Sequence, residues 1–274
     1  MSHFVAQSES SAHEVAHEFL ARHHITLHQP AEQLLHQIAT AFALLPYENL
    51  SKVLRDAQGS LPEEIRRLPG EVLADYYRLG AGGTCFSLTW TLLHLLRALG
   101  FQAEPLLADR RYGPDTHSAV VVWIDGVKHL LDPGYLLTKP VPLAEPGRII
   151  VPTSFHELQL QPEATQQKLE LHTQYQDKLT YRLTYKTEPV DTATFLKAWD
   201  ASFDFDMMKY PVLSRILADK QYYLQKNRLM IRSRDATQQV DLTAETLPAA
   251  MQQHFGLHPS LIQQALPHFE SSAR

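Results

Sequence analysis

The sequence predicts an α+β protein whose helices and antiparallel strands occupy separate parts of the chain. Apolar residues recur at helical spacing through the first hundred residues. Near residue 101 this spacing gives way to alternating apolar and polar residues, and Asp125-Gly126 between two extended runs indicates a two-residue hairpin. Beyond Thr194 helical patterns return with one short strand among them. The length of 274 residues suits one large domain or two to three small ones.

The first hundred residues hold four candidate helices. Pro30 suits a first helical turn, and the apolar residues after it recur at helical spacing until Pro46. The most apolar candidate ends at Gly100, a residue type common just after a helix, and we expect this helix to be buried. The predicted helices are Ala12–Ala21, Pro30–Leu44, Leu61–Arg78 (interrupted at Pro69-Gly70) and Phe86–Leu99.

The rest of the chain is predicted to contain strands followed by a mixed tail. Alternating polarity and β-branched residues indicate the strands, and longer helical patterns indicate the helices. The predicted strands are His117–Ile124, Val127–Asp132, Arg148–Val151, His156–Leu160, Lys178–Lys186 and Arg228–Arg232. The predicted helices of the tail are Phe195–Trp199, Ser214–Ala218 and Ala244–His254.

Composition excludes several classes of protein. Hydrophobic residues make up 44% and charged residues 20%, so a disordered chain is not expected. The net charge of −5 argues against a nucleic-acid partner, and a single cysteine excludes an internal disulfide and paired-cysteine zinc sites. The N-terminus lacks a signal-peptide pattern, and the longest apolar stretch is too short for a bilayer. We therefore expect a soluble cytoplasmic protein without a membrane partner.

The one cysteine, Cys85, lies where a nucleophile is favoured. It follows Gly82-Gly83-Thr84 and immediately precedes the predicted buried helix. Two glycines permit a tight turn or a close backbone approach, and the free N–H groups of a helix N-terminus stabilise a thiolate and an oxyanion. The alternative is that Cys85 is a small buried hydrophobic residue.

The hairpin supplies two partners for such a nucleophile. A two-residue loop at Asp125-Gly126 places Ala119 opposite Asp132, so that His117 and Asp132 are diagonal neighbours on one face. A carboxylate beside an imidazole fixes its tautomer and stabilises its charged form. Cys85, His117 and Asp132 therefore form a candidate set of nucleophile, base and orienting group. The alternative is that Asp132 caps a turn and His117 lies on the surface.

Three blocks of the sequence resemble the arylamine N-acetyltransferase family. They are spaced as in that family, with 37 residues from Glu48 to Cys85, 32 more to His117 and 15 more to Asp132. Weaker similarity continues through Phe203 to Leu229. The blocks are Leu45–Leu50 (LPYENL), Gly82–Phe86 (GGTCF), and Thr116-His117 with Leu131–Tyr135 (LDPGY).

The resemblance implies a layout and a chemistry. The layout is a helical bundle over residues 1–100 ending in the cysteine helix, an antiparallel β-barrel over 101–193 carrying the histidine and aspartate, and an α/β lid over 194–274, with a cysteine-protease-like triad. The chemistry is ping-pong transfer of an acetyl group from acetyl-CoA, without a metal, through a Cys85 thioester to an arylamine or hydrazine. We expect backbone N–H groups near Cys85, with Thr116, to form an oxyanion hole, and Phe86 and Thr84 to contact substrate.

The chain also departs from the family pattern beside the triad. The family arginine four residues before the cysteine is Ala81, so Glu48 needs another cation, a backbone donor or solvent. The family tyrosine before the cysteine is Thr84, and the glutamate two residues after it is Ser87. The acceptor amine, the acyl group and the oligomeric state stay open, and so does a carrier-protein thioester as donor. A cysteine amidase and a degenerate small-molecule binding protein are the competing functions.

Three further motifs are not assigned to a functional site. His13-Glu14-Val15-Ala16-His17 matches a zinc-helix pattern, but the glycine that would follow it is Leu20, and we expect a solvated helix face without a metal. Residues 109–112 (DRRY) are interpreted as an exposed turn rather than a loop contacting coenzyme phosphate. Residues 204–208 (DFDMM) are interpreted as lid packing.

Overall fold

The computed structural model describes residues 9–59, 61–135, 137–143, 147–163 and 167–269. It confirms the α+β class. Most helices precede the large sheet in the chain, and the last helices flank a second, smaller sheet. The helices are α1 Glu9–Arg22, α2 Ala31–Phe42, α3 Leu50–Gln58, α4 Pro62–Ile65, α5 Pro69–Leu79, α6 Cys85–Ala98, α7 Thr192–Ala201, α8 Leu247–Phe255 and α9 Pro259–Ala265.

The strands form two antiparallel sheets. The larger has eight strands in the order β5-β4-β3-β2-β9-β8-β7-β6 and the smaller has five in the order β1-β10-β11-β12-β13. The strands are β1 Tyr47–Glu48, β2 Ala103–Arg110, β3 Gly113–Ile124, β4 Val127–Leu131, β5 Val141–Pro142, β6 Ile149–Pro152, β7 Glu157–Pro162, β8 Lys168–Tyr175, β9 Lys178–Lys186, β10 Val212–Leu217, β11 Lys220–Gln225, β12 Arg228–Arg232 and β13 Thr237–Asp241.

The large sheet is a curled half-barrel, whereas the resemblance implied a β-barrel. Within the described ranges β5 and β6 occupy its two edges and do not pair with each other. The predicted hairpin connects β3 and β4, where Ile124 pairs with Val127 and Val120 with Leu131. Asp125 and Gly126 both have positive φ angles, as a two-residue hairpin turn requires.

The small sheet corrects one prediction. Residues 214–218, expected to be helical, lie largely in β10, which pairs with β1 on one side and β11 on the other. The six residues of β10 (VLSRIL) are too few to distinguish the two periodicities, so partners distant in sequence decided the conformation of this segment. Through β1 this sheet joins the LPYENL block to the C-terminal part of the chain.

Helix α6 is the buried axis of the structure. All of its residues from Cys85 to Leu93 are buried, as its apolar composition predicted. It packs against α1 and α5 on one side and against β2 and β3 of the large sheet on the other. Its N-terminus, which carries Cys85, is therefore fixed between the helices and the sheet.

No helix in the described ranges is both long enough and apolar enough to cross a membrane.

Candidate active site

The backbone before Cys85 is tied to the LPYENL block. A Cβ atom on Gly82 would lie 1.8 Å from the carbonyl oxygen of Pro46, so only glycine fits there. The Glu48 N–H donates to the Gly83 carbonyl at 3.0 Å, and the Gly83 N–H donates to Pro46 at 3.3 Å. The paired glycines thus allow a close backbone approach, and Cys85 begins α6 with its thiol buried.

His117 and Asp132 meet as the hairpin register predicts. The His117 Nε2 and the Asp132 Oδ2 are 2.6 Å apart, and both side chains are fully buried. The β4 ladder ends at Leu131, so Asp132 lies just beyond the strand, and His117 pairs with Ala108 of β2 rather than with Gly134. The diagonal contact between His117 and Asp132 is present although Asp132 lies beyond the last paired residue of β4.

The Asp132 carboxylate is held by two more donors. The Tyr185 hydroxyl donates to Oδ2 at 2.5 Å, and the Tyr135 N–H donates to Oδ1 at 3.0 Å. Tyr185 lies on β9, and sequence reasoning gave no sign of it because its strand meets the site only through sheet pairing. These donors leave Asp132 oriented as an acceptor toward His117.

Cys85 converges with this pair at Gly134. A Cβ atom built on Gly134 would lie 2.8 Å from His117 Cε1, 3.1 Å from the Cys85 Cβ and 3.2 Å from Asp132 Oδ1. The His117 imidazole lies close enough to the Cys85 thiol to lower the pKa of that thiol. The three residues singled out in the sequence therefore occupy one buried cluster, and a side chain at position 134 would disrupt it.

The pKa shifts within the cluster favour a charged cysteine–histidine pair. Burial raises the pKa of the Cys85 thiol, but the charge and hydrogen bond of His117, with Arg110 and Lys52, outweigh burial and leave it below its ordinary value. Burial lowers the pKa of His117, but the Asp132 carboxylate outweighs it and leaves the pKa raised. Burial also opposes ionisation of Asp132, yet its donors hold the carboxyl pKa below the usual range.

Arg110 is a site residue that the sequence analysis missed. It ends β2, its Nε is buried, and Nη2 donates to the His117 Nδ1 at 2.8 Å. The exposed turn expected over residues 109–112 begins only after it, at Arg111 and Tyr112. Because Nδ1 accepts this bond, it has no proton in this arrangement, and a proton arriving from Cys85 requires the guanidinium to move away.

Lys52 is a second buried cation near the cluster. Its ammonium group donates to the Ser202 carbonyl at 2.8 Å and to the Ser202 hydroxyl at 2.5 Å, and it lies 4.1 Å from the centre of the Phe203 ring. Burial lowers its pKa to about 7. Lys52 lies two residues after the LPYENL block, and its place beside Cys85 depends on α3, which was not predicted.

Glu48 obtains its partners from Ser51, the residue directly after its block. The Ser51 N–H donates to Oε2 at 2.9 Å and the Ser51 hydroxyl to Oε1 at 2.5 Å. Arg67 donates to that hydroxyl at 2.8 Å and to the Gly82 carbonyl at 2.7 Å. Arg67 therefore supplies a cation close to where the family arginine would reach from position 81.

The predicted substrate-binding residues all lie near Cys85, but their polar groups are not equally available to a ligand. Thr84, Phe86 and Thr116 line one small cavity with Cys85. The Thr116 hydroxyl donates to the Gly113 carbonyl at 2.9 Å, so its proton is engaged in the β2–β3 turn. The Thr84 hydroxyl is buried and has no hydrogen-bond partner in the described part of the chain, which leaves it free for a ligand.

A wide cleft adjoins this small cavity. The cleft has a volume of about 630 Å³, and it runs between the large sheet and the small sheet. Tyr47, Arg110 and Met207 line both spaces, so the cleft leads from solvent toward Cys85. Met207 lies in the 204–208 segment, which thus borders the site as well as packing.

The zinc-like string of the N-terminus lies on α1, away from this cluster. His13 and His17 are exposed on that helix, as expected for a solvated face. In the ranges that the structure covers, no group of three or more His, Cys, Asp or Glu residues is placed to hold a metal ion.

Comparison with known proteins agrees with this architecture. A family model described as N-acetyltransferase matches residues 32–263. The Mycobacterium abscessus arylamine N-acetyltransferase superposes with a TM-score of 0.77 and 19% identity, covering 92% of this chain and 94% of that one. The Salmonella typhimurium enzyme gives 0.74 and 21%, covering 93% and 98%. The Bacillus cereus enzyme, described with a Cys-His-Glu triad, gives 0.71 and 19%, covering 89% and 99%. A search of curated proteins gave no match.

The fold and the family match define the class of protein as an acyltransferase enzyme of the N-acetyltransferase type. More specifically, the chain belongs to the arylamine N-acetyltransferase family.

Proposed function

We propose that this enzyme moves an acyl group from a coenzyme A thioester through a Cys85 thioester to a small amine such as an arylamine or hydrazine. The observation that carries the proposal is the buried cluster that brings Cys85, His117 and Asp132 together around Gly134. In other members of this family acetyl-CoA is the donor, and we propose an acyl-CoA of the same kind here.

In the first half-reaction His117 Nδ1 takes the thiol proton and Cys85 attacks the thioester carbonyl. The new bond joins the Cys85 sulfur to the acyl carbon, the bond to the coenzyme A sulfur breaks, and that sulfur leaves with the proton from His117. Backbone N–H groups at the start of α6, with the Thr84 hydroxyl, face the oxyanion that forms between these steps.

In the second half-reaction the amine attacks the same carbon. His117 accepts a proton from the nitrogen and returns it to the departing Cys85 thiolate, so the free enzyme is restored. Asp132 stabilises the imidazolium and fixes its orientation throughout, with Tyr185 and the Tyr135 N–H holding the carboxylate.

Intact-protein mass spectrometry tests the proposal. Mixing the protein with acetyl-CoA is expected to add one acetyl group, and an aromatic amine is expected to remove it. The mass shift should vanish in Cys85→Ala and collapse in His117→Ala. Lack of a shift with every acyl-CoA tried would refute the transferase. A shift that decays equally fast with and without amine would instead indicate a hydrolase.

A further inference from the structure

Two buried cations next to Cys85 have no carboxylate partner in the described residues. Lys52 donates only to oxygens of Ser202, which are neutral. Arg110 donates to His117, and its Nε is buried without any hydrogen-bond partner in the ranges that the structure covers. Buried cations are normally paired, because an unpaired charge loses its hydration without compensation. This arrangement therefore favours binding of an anion.

The described residues that line the space around these two side chains include no carboxylate, although Asp56, Asp204 and Asp200 act on Lys52 from behind that lining. The small cavity that Lys52, Cys85 and Arg110 line has no aspartate or glutamate among its lining residues. The adjoining cleft also has none, and it adds Lys178, Arg182 and Arg232. An anionic reactant thus meets positive groups along the whole path to Cys85.

The proposed reaction increases the need for an anion beside Lys52 and Arg110. In the free enzyme the Cys85 thiolate balances part of the positive charge, and both cations lower the thiol pKa. Acylation turns the thiolate into a neutral thioester, so Lys52 and Arg110 lose that counter-ion. A carboxylate on the acyl group itself would replace the lost charge at the same place.

We propose that Lys52 and Arg110 bind a carboxylate on the acyl chain, so that the enzyme transfers a short dicarboxylic acyl group such as malonyl or succinyl. This inference rests on the proposed function. The Cys85 thiolate attacks the thioester carbonyl of malonyl-CoA, the bond to coenzyme A breaks, and its sulfur takes the proton held by His117. The malonyl carboxylate is unchanged by the transfer.

The position of Lys52 assigns the carboxylate to the acyl chain rather than to the amine or to coenzyme A. Lys52 lines the small cavity beside Cys85 but not the wide cleft, from which we expect the amine to enter. The phosphates of coenzyme A lie at the far end of its long pantetheine arm, away from the thioester carbonyl. Only atoms a few bonds from that carbonyl reach Lys52.

The size of the cavity restricts the acyl group to a short chain. Its free volume is about 10 Å³, the room of about one water molecule. Met207 and Met208 form part of its wall, and their unbranched side chains change rotamer easily. A bound carboxylate therefore has to displace a methionine side chain. A three- or four-carbon acyl group requires the smallest displacement.

The test compares donors that differ in charge but not in shape. 3-Methylbutyryl-CoA is the neutral isostere of malonyl-CoA, and the initial rate of Cys85 acylation is followed by quenched intact-mass analysis at pH 7. We expect kcat/KM for malonyl-CoA to exceed that for 3-methylbutyryl-CoA by at least about tenfold, as a hydrogen-bonded charge pair provides. Lys52→Met should reduce this ratio about tenfold or more. Lys128→Met, the same change at a surface lysine, should leave it unaltered.

Each outcome decides a different point. Acylation by acetyl-CoA without a preference for malonyl-CoA over its isostere overturns this inference and leaves the transferase intact. No acylation by any donor overturns both. If donors do not differ but 4-aminobenzoate is acylated far faster than aniline, the carboxylate belongs to the amine and the inference is wrong. The wild-type donor ratio decides the matter even where Lys52→Met does not fold.

Discussion

Replacing Arg67 by methionine is expected to weaken both the fold and the nucleophile. Arg67 is buried and holds three acceptors: the Ser51 hydroxyl, the Gly82 carbonyl at 2.7 Å and one oxygen of Asp75 at 3.0 Å. Breaking a buried charge pair from one side costs about 3–5 kcal/mol. Asp75 is partly exposed and keeps Arg78, so the lower end applies. A loss of about 3 kcal/mol lowers Tm by roughly 5 °C in a chain of this size.

The same change releases the backbone that positions Cys85. Gly82 and Ser51 lose their common donor, so the turn before α6 and the Glu48 contacts loosen together. A displacement of about 1 Å at a nucleophile costs about 100-fold in rate, and we expect a 10- to 100-fold slower acylation of Cys85. Unfolding is followed by circular dichroism and acylation by intact mass, both well below Tm.

Two matched variants test whether the loss of Cys85 reactivity comes from the turn before α6. Arg66→Met removes an equally buried arginine that is paired with Asp200 of α7 at 2.7 and 2.8 Å. It should cost stability but not Cys85 reactivity in folded protein. Ala81 and Arg67 line one cavity of about 490 Å³, so Ala81→Arg should restore much of the reactivity in the Arg67→Met background. Equal loss of reactivity in Arg66→Met, or none in Arg67→Met, would refute the argument.

Three other predictions concern the cluster itself. Because its pKa is lowered, the Cys85 thiol should react with iodoacetamide at a lower pH than an ordinary thiol does, and His117→Ala, which removes a group that lowers the pKa, should slow labelling at neutral pH by at least about tenfold. Tyr185→Phe removes one donor from Asp132 and should lower kcat/KM for amine transfer about tenfold with an unchanged fold; a wild-type rate would contradict the role of that bond. Gly134→Ala places a methyl group against the imidazole and the cysteine and should reduce acylation about 100-fold, so near-normal acylation would show that the contacts relax.

Local chemistry made much of the fold predictable. The helical spacing before residue 100 and the Asp125-Gly126 turn depend on neighbours in sequence, and both elements appear where expected. The structure brings His117 and Asp132 together for the same reason, since a two-residue turn sets the register of its hairpin. By contrast, the short run in β10 has no local preference strong enough to resist its two neighbouring strands.

The residues that surround the candidate triad could not be predicted from the sequence. Tyr185, Arg110 and Lys52 come from three separate elements, and each reaches the cluster through strand pairing or helix packing. No spacing rule links these positions in sequence. Arg110 in particular was interpreted as part of an exposed turn, because a charged residue near a turn is usually solvated.

The sequence by itself indicated the candidate nucleophile, its candidate histidine and aspartate partners, the family resemblance and the loss of an arginine at position 81. These features follow from residue types at short range and from a hairpin of known register. Only the tertiary structure decided that Arg67 takes up the contacts near Glu48, that Tyr185 holds Asp132, and that Lys52 and Arg110 form no hydrogen bond with a carboxylate among the described residues. Those outcomes depend on which distant side chains share one buried space, and burial is what gives their charges a large energetic effect.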